Sequence, residues 1–145
     1  MEQLSFLAIC AGIVSAVAIG GGAGAILGLG FAVDVSREAE RQGMDPMDEE
    51  ANRLFDEAFE AASQERGFVL QMLVLSLATS LISGGVTGWL APAAPLLNAA
   101  VVGTVGTAVG LLSARAPSRM PRGLLVAGTL STLPATLLGA WLAAG

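Results

Sequence analysis

The sequence predicts an all-α integral membrane protein: a single domain, residues 1–145, of four transmembrane helices with an acidic amphipathic helix between the first and the second. Three observations carry this. Four long apolar runs, at about 4–33, 68–91, 93–114 and 123–144, contain no charged residue, and each is long enough to cross a ~30 Å hydrocarbon core at ~1.5 Å per residue. Apolar residues make up 54% of the chain and charged ones only 13%, too little polar surface to cover a water-soluble domain. All seven basic residues are arginines confined to two of the three gaps: Arg37, Arg41, Arg53 and Arg66 in the first, and Arg115, Arg119 and Arg122 in the third.

The positive-inside bias places residues 34–66 and 115–122 in the cytoplasm and both termini outside. Arginine used to the exclusion of lysine, with abundant Ala, Gly and Leu, fits a prokaryotic cell (inner) membrane. Glu2 is the only charged residue before the first apolar run and no basic n-region is present, so that run reads as a retained helix rather than a cleaved signal.

The first helix bears a small residue at every fourth position from 8 to 32: Ala8, Gly12, Ala16, Gly20, Gly24, Gly28 and Ala32. Such glycine-zipper ridges let helix backbones approach closely in lipid, where association depends on packing. Gly20, Gly21 and Gly22 form its weakest point and mark either a break or a close contact with a neighbour. The second helix carries Ser76, Ser80, Gly84 and Gly88, the third Gly106, Gly110 and Ala114, and the fourth Gly128, Thr132, Thr136, Ala140 and Ala144. Gly12, Gly20, Gly24, Gly28, Gly84, Gly88, Gly106 and Gly110 are therefore the candidate helix-packing residues. Pro134 should bend the fourth helix, with Ser131 and Thr132 available to serve the carbonyl it leaves unpaired.

A faint internal repeat aligns residues 79–91 with 131–143 without gaps, placing Trp89 opposite Trp141. Both tryptophans are expected as anchors in the outer headgroup belt, in agreement with the arginine-derived orientation.

Residues 34–66 carry eleven carboxylates against four arginines. The first nine continue the first helix until Gly43 ends it. A second helix then starts, with Asp45 as N-cap, Pro46 in its first position and Asp48, Glu49 and Glu50 against the positive end of its dipole. Met47, Ala51, Leu54, Phe55, Ala58, Phe59 and Ala62 form a single apolar stripe, and Arg66 and Gly67 fit the helix end. An acidic helix is a poor match for anionic lipid. The stripe is expected to cover the cytoplasmic end of the bundle, pair with a second copy, or dock a partner through Leu54, Phe55 and Phe59.

The absence of histidine, tyrosine and lysine removes His-based acid–base catalysis, haem ligation by His and Schiff-base chemistry. Cys10 is alone, so it forms no internal disulfide and builds no metal site by itself. The Asp45, Asp48, Glu49, Glu50 cluster lacks a cation-loop spacing and reads as a charged first helical turn. No ionisable residue lies inside a span, where ion and proton transporters commonly place one. The expectation is a non-enzymatic accessory, assembly or scaffolding subunit with no cofactor, metal or nucleic acid, in contact with membrane lipid and with itself or another membrane protein. Alternatives are a small oligomeric channel or carrier for a neutral or weakly polar solute, with Asn98 and hydroxyls lining it, and a membrane immunity or defence component.

Overall fold

The computed structural model describes residues 4–45, 49–113 and 122–145, and every element among them is helical: α1 Phe6–Arg41, α2 Glu49–Gln64, α3 Arg66–Leu90, α4 Pro95–Ser113 and α5 Arg122–Ala144. α1, α3, α4 and α5 are each long and apolar enough to cross a membrane. The third loop lies outside the described residues as far as Arg122, as do Pro46, Met47 and Asp48 of the expected α2 start.

α1 begins where Ser5 adopts an extended conformation and its hydroxyl accepts the Ala8 amide at 3.3 Å, an N-cap that satisfies one orphan donor. It runs 36 residues without interruption through Gly20, Gly21 and Gly22, so the triple glycine does not break it. At ~1.5 Å per residue this helix exceeds a ~30 Å hydrocarbon core by several turns, and its last turns, from Asp34 on, are the charged ones. It stops in a Schellman arrangement. Gly43, at φ 75°, donates to the Glu40 carbonyl while Met44 donates to that of Ala39. Only a residue without Cβ adopts that dihedral cheaply, which is why the helix ends here.

α2 and α3 are separated by one residue. Glu65, at φ −74° and ψ 128°, is the N-cap of α3, and its carbonyl already accepts the Val69 amide. Arg66 and Gly67 therefore open α3 instead of closing α2; neither glycine nor proline precedes them to announce the break. The 91–94 turn links α3 to α4, and Pro95 occupies the first position of α4, where its missing N–H costs nothing. α5 continues through Pro134, but the Ser131 and Thr132 hydroxyls both donate to the carbonyl of Gly128 and not, as expected, to that of Leu130, the one Pro134 deprives of its donor.

α3 is the hub of the bundle, packing on α1, α4, α5 and α2. Residue pairing fixes the directions: α3 and α5 run parallel, while α1 and α4 run opposite to them. Trp89 and Trp141 consequently lie at the same end of the bundle, and α2 lies at the other.

The interior inverts that of a soluble helical protein. Its buried residues are small or polar, among them Ala8, Ala99, Ala140, Ser83, Thr87, Asn98 and Thr136, whereas Phe6, Ile26, Leu29, Val17 and Leu112 point outward, Phe6 with 80% of its surface exposed. Large apolar side chains displayed around the circumference suit lipid, and small residues inside permit close helix approach.

Candidate functional site

The α3–α5 seam is the tightest. A β-carbon on Gly84 would overlap the Thr136 backbone, one on Gly139 would overlap the carbonyl of Leu81, and one on Gly88 would sit 2.8 Å from the Ala140 carbonyl oxygen. These are backbone-to-backbone contacts that no rotamer change can relieve. Gly84 with Thr136 and Gly88 with Ala140 are also the aligned pairs of the 79–91 and 131–143 repeat. The two segments meet as parallel neighbours in matched register.

Across the α4–α5 seam, Gly103 lies against Leu133, Gly106 against Thr132 and Gly110 against Thr129, the last with room for a β-carbon only 2.6 Å from the Thr129 methyl. Gly103 and Gly139 were not among the expected ridge residues. Each is displaced by three residues from a ridge member, Gly106 and Thr136, and a three-residue step shares a helix face as well as a four-residue one. That spacing was the available signal.

α1 meets α3 through its first half. Gly12 lies under Thr87, and the Ser83 hydroxyl donates to the Gly12 carbonyl at 2.7 Å. Gly20 still touches Thr79, whose methyl would be 3.3 Å from a β-carbon there. Beyond it α1 diverges: at Gly21, Gly22, Gly24, Gly28 and Gly30 a β-carbon would meet nothing within 4 Å among the described residues. The expected ridge thus splits into a packed part, Gly12 and Gly20, and an open part, Gly24 and Gly28.

Asn98, fully buried on α4, ties the start of α1 in place. Its Oδ1 accepts the Ser5 amide at 2.7 Å and its Nδ2 donates to the Ala94 carbonyl at 2.8 Å. Both halves of the amide are thereby occupied. The buried hydroxyls are used in the same manner: Ser80 donates to the Ser76 carbonyl, Thr87 to that of Ser83 and Thr136 to that of Thr132. Thr79 differs, since its hydroxyl oxygen is buried with no hydrogen-bond partner among the described residues.

At the far end, four of the five phenylalanines of the chain form one cluster. Phe31 of α1 meets Phe55 and Phe59 edge-on at 5.3 and 5.8 Å, Phe55 and Phe59 stack at 6.4 Å, and Phe59 reaches Phe68 of α3 at 6.0 Å. Each such pair contributes about 0.5–1.5 kcal/mol beyond area burial. Ala51 adds a second contact, buried beside Val35 and Ala39 of the α1 extension. Phe55 and Phe59, expected as docking residues, thus contact their own chain, with Leu54 half-buried next to them, and Glu50, Arg53, Glu57 and Glu60 are left on the exposed face of α2. The Arg37–Asp34 and Arg41–Glu38 pairs, at 3.9 and 3.5 Å, are solvent-exposed and hold little. Trp89 and Trp141 are exposed at the opposite end, on α3 and α5.

Compared with protein-family models, curated proteins and solved structures, the chain matches none.

Proposed function

We propose that this chain is a multi-pass membrane scaffold or assembly subunit that acts by contact, oriented with both termini outside and α2 in the cytoplasm of a prokaryotic cell. One observation carries the reading: the buried polar groups at depth, Thr79 apart, are taken up within the chain, between helices at Asn98 and Ser83 and along their own helix at Ser80, Thr87 and Thr136. Asn98, Ser80, Ser83, Thr87 and Thr136 all bond within the chain, and the α3–α5 seam between them is in backbone contact. A path for solute within one chain needs open space and free polar groups, and this seam offers little of either.

The surface presented for contact is then the outer face of α2. Its phenylalanines anchor it to α1 and α3, which turns Glu50, Glu57 and Glu60 toward the cytoplasm as an acidic, amphipathic cap. A partner with a basic face matches this charge. Trp89 and Trp141 anchor the opposite interface.

Two measurements test the proposal. Liposomes containing the purified chain should show no flux of water, glycerol or other small neutral solutes above protein-free controls; sustained flux would sink the scaffold reading and favour the carrier. In native membranes, a photo-crosslinker at Ala61, exposed beside Glu57 and Glu60, should give one reproducible adduct that is lost when E50Q/E57Q/E60Q is added, with membrane insertion unchanged. Labelling of engineered cysteines from either side of the membrane checks the orientation.

A further inference from the structure

We draw no further inference here: the strongest candidate, the apolar hollow that opens between α1 and α3 past Gly20 and ends on the phenylalanine cluster, carries none because nothing in the structure shows what covers it.

Discussion

Gly84 and Gly24 are the same residue at the same ridge spacing on adjacent helices, yet their surroundings are opposite. Around Gly84 the Thr136 backbone presses so close that no side chain fits; around Gly24 no described residue beyond its own helix turn comes within 4 Å of where one would begin. The difference arises from the course of α1, which closes on α3 at Gly12, where Ser83 and Thr87 meet it, and leaves it after Gly20. A four-residue glycine period states that a helix can be approached closely on that side. Whether anything approaches depends on where the neighbouring axis runs.

The comparison can be broken most forcefully at the seam. Gly84→Leu or Gly139→Leu should prevent the bundle from assembling, an overpacking cost of ~3 kcal/mol or more set against backbone, seen as loss of the cooperative melting transition in detergent. A stable, cooperatively melting Gly84→Leu protein would mean that α3 and α5 are not in the register described. Next comes the cluster that closes the far end. Phe59→Ala removes a half-buried ring touching three others and should cost about 1–3 kcal/mol, read as faster amide exchange across 49–64 with the spans still protected. Asn98→Ala should cost about 1–2 kcal/mol, because it leaves the Ser5 amide without its acceptor; early exchange confined to the first turn of α1 is the expected signature. The smallest effect belongs to Gly24→Ala. In the isolated monomer it should leave stability unchanged or raise it by less than ~1 kcal/mol, and a clear loss of monomer stability would show that Gly24 has a neighbour within the chain after all.

The spans could be read from the sequence because length and apolar content alone define them. The end of α1 was equally legible: Gly43 is the first residue after the apolar run whose chemistry invites a left-handed turn, and the helix stops there. The junction after α2 was not. A single extended residue, Glu65, separates two helices, and glutamate gives no sign of it, so Arg66 and Gly67 looked like an ending when they are a beginning. The ridges were legible as faces but not as contacts. Gly12, Gly84, Gly88 and Gly110 meet neighbours, Gly103 and Gly139 do so through a three-residue step, and Gly24 and Gly28 share the pattern without a neighbour. The repeat gained meaning only in three dimensions, where two of its aligned pairs, Gly84 with Thr136 and Gly88 with Ala140, touch. The stripe of α2 pointed to three destinations, and the choice depended on Phe31 and Phe68, which lie outside it.

That single residue at the α2–α3 junction has a mechanical consequence. With only Glu65 between them, and Phe59 locked onto Phe68 just past the joint, α2 lacks the slack to swing independently. The pair behaves as a crank whose short arm is α2 and whose shaft is α3, the helix on which every other helix rests. For α2 to turn about that joint, either the backbone at Glu65 or the Phe59–Phe68 contact would have to give.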